Sequence, residues 1–188
     1  LSFEEAESSL EKAAERLAVP RSGLGGEAFD ILALSGGAAG GAFGAGVLVG
    51  LGEAGRRPTF AIVTGVSTGA LIAPFAFLGP AWDRRLADAY TGGHAEERFG
   101  ITAMSGMLDG GLLSADSLDE LIAPFVDEDM LAAVALEHQR GRRLLVATTN
   151  LDSQRPAIWD MGEIASRGGP DAVGMFRLVL AASASLPG

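Results

Sequence analysis

The chain contains no cysteine and only two histidines, and its 188 residues carry a net charge of -10. The lack of cysteine excludes disulfides, thiol catalysis and cysteine-ligated metal sites. His94 and His138 are too few for a histidine-rich metal site. The acidic excess argues against binding nucleic acid or anionic lipid, because phosphate groups attract basic surfaces. Neutral or zwitterionic lipid remains compatible with this charge, so peripheral membrane contact stays open. We expect no cofactor and no metal.

Hydrophobic residues make up 48% of the chain and charged residues 20%, which is typical of a globular domain with a sizeable core. Two uncharged stretches, residues 31–51 and 60–82, are long enough to span a membrane. Glycine is dense in the first, and glycine and proline interrupt the second. We therefore predict two strand–turn–helix units in a globular core. The acidic, amphipathic N-terminus does not resemble a signal peptide. Because the chain also begins without Met, its localisation stays open.

Hydrophobic periodicity predicts an α/β fold. Strands are expected over residues 31–34, 60–64 and 143–149, and helices over residues 2–17, 43–54, 69–77, 80–90, 117–124, 129–140 and 171–182. Strands that alternate with helices are typical of a parallel sheet covered on both faces. We assign residues 1–28 to an N-terminal helix and connector, and residues 29–188 to the catalytic domain.

The first glycine-rich stretch, Ser35-Gly36-Gly37-Ala38-Ala39-Gly40-Gly41, follows a predicted buried strand. A phosphate-binding Walker loop needs a lysine and a hydroxyl residue where Ala42 and Phe43 stand. A dinucleotide fingerprint does not fit, because the next Gly-x-Gly lies too far past the strand and no acidic residue ends the following strand. Close packing of the glycine-rich helix would explain its glycines, but not the Gly36-Gly37 turn that precedes it.

The second stretch, Gly65-Val66-Ser67-Thr68-Gly69, lies between an apolar strand and an apolar helix, as a nucleophile elbow does. Such a turn holds the serine hydroxyl at the N-terminus of a helix, where negative charge on the oxygen is stabilised. A serine nucleophile also needs backbone N–H donors for an oxyanion. The Gly36-Gly37 turn ends the other strand, where such donors belong, and the two stretches together predict one site.

The sequence contains no well-placed histidine base. His138 lies at a polar helix end and is interpreted as a solvated surface residue, and His94 lies in a predicted loop. The base is therefore expected not to be histidine. Asn150 and Asp152 follow the third strand and are interpreted mainly as turn residues that can also line the site. Four apolar residues after the elbow are expected in the core rather than in an acyl pocket, namely Leu71, Ile72, Phe75 and Phe77.

With these motifs, the chain resembles the patatin-like phospholipases, in particular bacterial acyl hydrolases of that family, over residues 29–188. Three segments carry the resemblance, namely residues 35–48, Gly65-Val66-Ser67-Thr68-Gly69, and Ala181-Ala182-Ser183-Ala184-Ser185-Leu186-Pro187. The resemblance implies a three-layer α/β/α fold with a mostly parallel sheet. It also implies hydrolysis of lipid or other esters by a Ser-Asp dyad, with Ser67 as the nucleophile. Backbone N–H groups of Gly36, Gly37 and Ala38 would form the oxyanion hole.

The chain departs from the family pattern in three places. Ala38 replaces the third glycine of the oxyanion segment, and Gly40 stands where the family often has Arg or Lys. The family's catalytic Asp follows the Ala-Ser-x-x-x-Pro segment, so we expect it beyond Gly188, in a C-terminal part that this chain lacks. Asp109-Gly110-Gly111 precedes that segment and is interpreted as a turn, which makes Asp109 a poor candidate for the dyad.

Two alternatives to the esterase remain. One is a non-catalytic module of the same fold that binds lipid or acyl groups, which the altered oxyanion segment and the missing Asp favour. The other is an acyltransferase of the malonyl-transferase type, which would need a histidine partner and an arginine for the malonyl carboxylate. The oligomeric state is not indicated by the sequence.

Overall fold

A computed structural model of the chain describes residues 29–37, 40–91 and 122–185, together with Ser8. The predicted N-terminal helix and connector lie almost entirely outside these ranges. The same holds for the predicted loop after residue 91 and for most of the helix predicted over residues 117–124.

The two uncharged stretches form two strand–turn–helix units, as predicted. Strand β1 (Ile31–Leu34) leads to helix α1 (Gly40–Glu53), and strand β2 (Ile62–Val66) leads to helix α2 (Thr68–Leu78). The first helix starts three residues earlier than predicted. The second strand lies two residues later, because it continues to the residue before the Ser67 turn. Within the described ranges, no helix has both the length and the apolar character needed to cross a membrane.

The remaining elements complete a mixed α/β domain. A short 3₁₀ turn, Pro80–Trp82, is followed by helix α3 (Asp83–Thr91). Helix α4 (Glu128–Gln139) is capped by Asp127, whose side chain accepts a hydrogen bond from the N–H of Met130. Then come strand β3 (Arg143–Asn150), strand β4 (Arg155–Asp160), helix α5 (Met161–Arg167) and helix α6 (Gly169–Ala184).

The sheet has the strand order β1-β2-β3-β4. Strands β1, β2 and β3 are parallel, with Ile31 opposite Ile62 and Ile62 opposite Arg143. Strand β4 returns antiparallel to β3. Neither β4 nor α5 is predicted from the sequence. Pro156 lies within β4 and is tolerated there because β4 is an edge strand of the described sheet.

Strand β1 is less buried than the sequence predicts. It occupies the other edge of the described sheet, and its residues alternate between exposed and half-buried. Leu32 and Leu34 pack against the core, whereas Ile31 is 57% exposed. The prediction of a buried strand was wrong, because an apolar run shows that a strand is hydrophobic but not where it lies in the sheet.

One face of the sheet and all six described helices contribute to a single hydrophobic core. Ile72, Phe75 and Phe77 are almost fully buried in it and Leu71 packs against it, which confirms the prediction that these residues belong to the core. A cavity of about 10 Å³ lies in this core. It has room for roughly one water molecule rather than an acyl chain. The mostly parallel sheet with its packed helices confirms the predicted α/β class and is consistent with a three-layer arrangement.

Two arginines hold the C-terminal end of α2. Arg57 donates hydrogen bonds to the carbonyls of Phe75 and Ala76, at 2.8 and 3.2 Å. Arg142 donates to the carbonyl of Phe77 and lies over that residue's ring, with 4.3 Å between the guanidinium carbon and the ring centroid. Cations at a helix C-terminus satisfy its last carbonyls and interact favourably with the negative end of the helix dipole. The helix that begins beside Ser67 is therefore anchored at its far end.

Candidate active site

Ser67 occupies the sharp turn between β2 and α2, in a backbone conformation that residues other than glycine seldom adopt. Its φ is 55° and its ψ is -128°. Such a conformation costs about 1–3 kcal/mol. Ser67 is also the N-cap residue of α2, but its side chain makes no capping hydrogen bond. A serine at this position ordinarily uses its hydroxyl to cap the helix. In this turn the hydroxyl is not used for that purpose.

The glycines on both sides of Ser67 are required by close backbone contacts. A Cβ on Gly65 would lie 2.7 Å from the Cα of Ala70. A Cβ on Gly69 would lie 2.7 Å from the carbonyl oxygen of Ser35, and it would overlap the carbonyl of Leu34. Real Cβ atoms essentially never approach backbone atoms so closely. The two glycines therefore let α2 start directly against the ends of β1 and β2.

The first glycine-rich stretch meets the second at this turn. A Cβ on Gly36 would lie 2.9 Å from the Cβ of Ser67 and 3.4 Å from its Oγ. For Gly37, no described atom lies within 4 Å of the corresponding position, and its carbonyl accepts a hydrogen bond of 2.8 Å from the N–H of Gly40. Ala38, the third predicted oxyanion residue, lies outside the described residues. The Gly36-Gly37 turn thus borders the serine side chain.

The start of α1 packs on the start of α2 beside this turn. A Cβ on Gly41 would overlap the side chain of Thr68 and would lie 3.3 Å from the hydroxyl of Tyr90. Burial raises the pKa of Tyr90, so its phenol stays protonated even in alkaline solution. Gly41 therefore lets Thr68 fill the space between the two helices.

Ser183, on α6, contacts the elbow directly. Its Oγ accepts a hydrogen bond of 2.9 Å from the backbone N–H of Ser67. It donates a second one of 2.7 Å to the carbonyl of Ala147, on β3. Ser183 lies within the third segment that resembles the family, but the sequence indicates no function for it. That segment was the only signal, because 116 residues separate Ser183 from Ser67.

His138 is not the solvated surface residue that the sequence predicts. Its side chain is 13% exposed, and its Nδ1 lies 3.5 Å from Oδ1 of Asp160. It packs against Gly162, where a Cβ would lie 2.7 Å from the Cβ of His138. The prediction was wrong because β4 and α5, which cover this end of α4, were not predicted. Within the described ranges, no three His, Asp or Glu side chains are grouped to hold a metal ion.

No described side chain is a hydrogen-bonding base for Ser67. His138 is displaced from the elbow, because its partner Asp160 pairs with Leu145, which pairs with Thr64, three residues before Ser67. Asp160 therefore lies two strand spacings of about 4.8 Å across the sheet from Thr64, and Ser67 lies three residues of about 3.3 Å each further along the chain, which is too far for contact. His94 and Asp109 lie outside the described residues.

Asn150 is the last residue of β3, and Asp152 lies in the turn between β3 and β4. Both residues are exposed, and Oδ1 of Asn150 accepts a hydrogen bond of 2.9 Å from the N–H of Ser153. This is the turn geometry that Asn side chains favour. The interpretation of Asn150 as a turn residue is confirmed.

Helix α1 presents an uncharged face to solvent. Phe43 is 78% exposed and Val47 is 43% exposed. Among its glycines, Gly52 packs closely against Asp83, whereas Gly46 has no described atom within 4 Å of a Cβ position. Close helix packing therefore explains some glycines of α1 but not all of them.

Comparisons with known proteins identify the family of this chain. The family model described as patatin-like phospholipase matches residues 32–188. Neither a comparison with curated proteins nor one with solved structures found a match. The family match covers the β1 and β2 strands, both glycine-rich stretches and the segment around Ser183. The chain therefore belongs to the patatin-like phospholipase family.

Proposed function

We propose that this protein is a serine esterase that cleaves carboxylic ester bonds of lipids, including phospholipids, through an acyl-enzyme on Ser67. The conformation of Ser67 carries the proposal. Its φ of 55° is strained, and its hydroxyl does not cap the helix that it begins. Such strain persists where the surrounding structure holds it, and it clusters at reactive sites. Membership of a family of lipid acyl hydrolases supports the same chemistry.

Backbone N–H groups of Gly36, Gly37 and Ala38 form the oxyanion hole in this proposal. The contact between Gly36 and the side chain of Ser67 supports it, because oxyanion donors must lie close to the attacked carbonyl. The space beside Gly37 supports it too, since an ester carbonyl needs room there. The N-terminus of α2 adds a positive partial charge that favours the oxyanion.

The base in this proposal is an aspartate in the family's Asp-Gly motif, after Gly188. The Ser67 oxygen attacks the ester carbonyl carbon, and its proton passes to the aspartate. The tetrahedral oxyanion collapses, the alkoxide leaves with the proton from the aspartate, and an acyl-enzyme remains. Water then attacks the acyl carbon and gives a proton to the aspartate. That proton returns to the Ser67 oxygen as the carboxylic acid is released.

The substrate is a neutral or zwitterionic lipid rather than an anionic one. The net charge of -10 supports this choice. Phe43 and Val47 expose apolar side chains on α1, the helix whose start contacts Thr68, the residue after Ser67. An uncharged surface beside the elbow suits peripheral contact with a lipid surface.

A non-catalytic module that binds lipid or acyl groups is the second candidate. One observation favours it, namely that no carboxylate or imidazole among the described residues hydrogen-bonds to Ser67. Gly40, in place of the family's usual cation, points the same way. The malonyl-transferase alternative is weaker, because His138 is engaged near Asp160 rather than at the elbow.

A fluorophosphonate probe tests the esterase. The full-length protein and its Ser67→Ala and Ser153→Ala variants are incubated with the probe and weighed by intact mass spectrometry. Ser153 is a matched control, because it is a serine exposed in the turn between β3 and β4. We expect one adduct on the wild type and on Ser153→Ala, and none on Ser67→Ala. Release of fatty acid from zwitterionic phospholipid vesicles should follow the same pattern.

The same measurements can overturn the esterase proposal. A full-length protein that forms no adduct and releases no fatty acid overturns the esterase proposal. Binding of a fatty acid by that inactive protein, measured calorimetrically, would then support the binding module.

The position of the dyad acid is tested by substituting Asn for Asp109 and, separately, for the aspartate of the later Asp-Gly motif. We expect only the later substitution to abolish the adduct.

A further inference from the structure

The hydroxyl of Ser183 joins two backbone groups at the point where β2 separates from β3. The last register pair of these strands is Val66 and Ala147. Ser67 directly follows β2, and its N–H donates to Ser183 Oγ, which in turn donates to the carbonyl of Ala147. The hydroxyl therefore continues the ladder between the strands for one further step.

The hydroxyl of Ser183 donates one hydrogen bond and accepts another, each with a defined partner. A serine hydroxyl has a single proton to donate, and here that proton goes to the carbonyl of Ala147. Its oxygen accepts from the N–H of Ser67. Ser183 is 8% exposed, so water does not readily replace either partner. The residue is placed to orient the elbow rather than to react itself.

The neighbouring serine shows that the end of α6 does not require this geometry. Ser185 Oγ donates back to the carbonyl of Ala181, four residues earlier on the same helix. That bond is a common local choice for a serine in a helix. Ser183 instead reaches out of its helix to two other elements. Its hydroxyl thus links α6, β3 and the strained residue at the start of α2.

We propose that Ser183 is a positioning residue that holds Ser67 in its strained conformation, with the hydroxyl aimed at the substrate. The inference rests on the proposed function, in which Ser67 is the nucleophile. The N–H of Ser67 is directed away from the reacting carbonyl by this bond, so it is not an oxyanion donor. Without the Ser183 hydroxyl, Ser67 would relax toward a common backbone conformation and its oxygen would move.

The test compares Ser183→Ala with Ser183→Thr and with Ser185→Ala in the full-length protein. We expect Ser183→Ala to lower kcat and the rate of fluorophosphonate labelling by about tenfold to a hundredfold, as small displacements of reacting groups do. KM should change less than threefold. Ser183→Thr keeps the hydroxyl and should recover most of the rate, and Ser185→Ala should label at the wild-type rate. If Ser183→Ala does not fold, Ser183→Cys replaces it, because its weakly hydrogen-bonding thiol has a similar shape.

A second readout separates this inference from the proposed function. Hydrogen exchange of the Ser67 amide, followed by NMR in serine-labelled protein, does not depend on catalysis. We expect exchange to be at least tenfold faster in Ser183→Ala, or in Ser183→Cys, than in Ser185→Ala. If the wild type forms no adduct but this difference is present, the esterase proposal fails and the positioning of Ser67 by Ser183 stands. The positioning role of Ser183 is overturned if the Ser67 amide exchanges at the same rate in Ser183→Ala as in Ser185→Ala. It is also overturned if the wild type forms the adduct and Ser183→Ala forms it at the same rate.

Discussion

The backbone of Gly36 faces the side chain of Ser67, although 31 positions separate the two residues in the chain. A Cβ on Gly36 would lie 2.9 Å from the Cβ of Ser67 and 3.4 Å from its Oγ. A methyl group at Gly36 can be accommodated only if the serine or the turn shifts. The contact joins the two glycine-rich stretches into one site.

Replacing Gly36 with alanine should therefore reduce activity more than stability. We expect Gly36→Ala to slow fluorophosphonate labelling of Ser67 by about a hundredfold, because the added methyl displaces the reacting oxygen. The labelling rate is measured by intact mass, with thermal unfolding alongside. Gly46→Ala is the control, since Gly46 has open space around it among the described residues. Labelling of Gly36→Ala at the wild-type rate would contradict the contact.

Ser67→Gly should be more stable than Ser67→Ala. Both variants lose the hydroxyl, but only glycine adopts a φ of 55° without steric cost. We expect the free energy of unfolding to differ by about 1–2 kcal/mol in favour of glycine, somewhat reduced by the greater freedom of glycine in the unfolded chain. Chemical denaturation of the two variants measures this difference. Equal stability would mean that Ser67 is not strained.

Gly69→Ala should destabilise the fold, because its Cβ would overlap the backbone carbonyl of Leu34. Backbone atoms cannot swing aside, so we expect a loss of about 3 kcal/mol in the free energy of unfolding. Gly50→Ala, in the middle of α1, is the matched control. It has no described atom within 4 Å of the added methyl and should gain about 0.5–1 kcal/mol from helix propensity. Denaturant titration measures both, and similar values for the two would refute the close contact.

The ion pair between Glu137 and Arg142 should make stability depend on acid pH. Burial raises the pKa of Glu137, but its hydrogen bonds and charge interactions with Arg142 and Arg140 outweigh this and lower the pKa below its ordinary value of 4.5. A lowered carboxyl pKa contributes stability above the ordinary value, which is lost as the pH falls through the lowered value. We expect Glu137→Gln to cost about 2 kcal/mol at pH 7.

The cost of Glu137→Gln should shrink as the pH falls from 5 to 3, because the wild-type carboxylate is then protonated. Denaturant titrations at several pH values measure this convergence. A cost that stays constant down to pH 3 would show that the charge on Glu137 does not stabilise the fold.

Local sterics explain why much of the site was predictable from the sequence. The pattern Gly-x-Ser-x-Gly between an apolar strand and an apolar helix predicted the elbow, and the structure has a strained serine there. The bounds of β1, α4 and β3 were predicted within one residue. Each of these features depends on hydrophobic period, capping or turn chemistry within a few residues.

The sequence by itself determined the strand–turn–helix units, the α/β class and the residues able to form a serine elbow. Short-range sterics and hydrophobic periodicity dictate all three. Tertiary structure alone decided that β1 lies at an edge of the described sheet, that β4 and α5 cover His138, and that Ser183 reaches the N–H of Ser67. These outcomes depend on which distant surfaces pack together. A serine on α6 carries no local sign of its partner, because the contact arises only when α6, β3 and the elbow share one core.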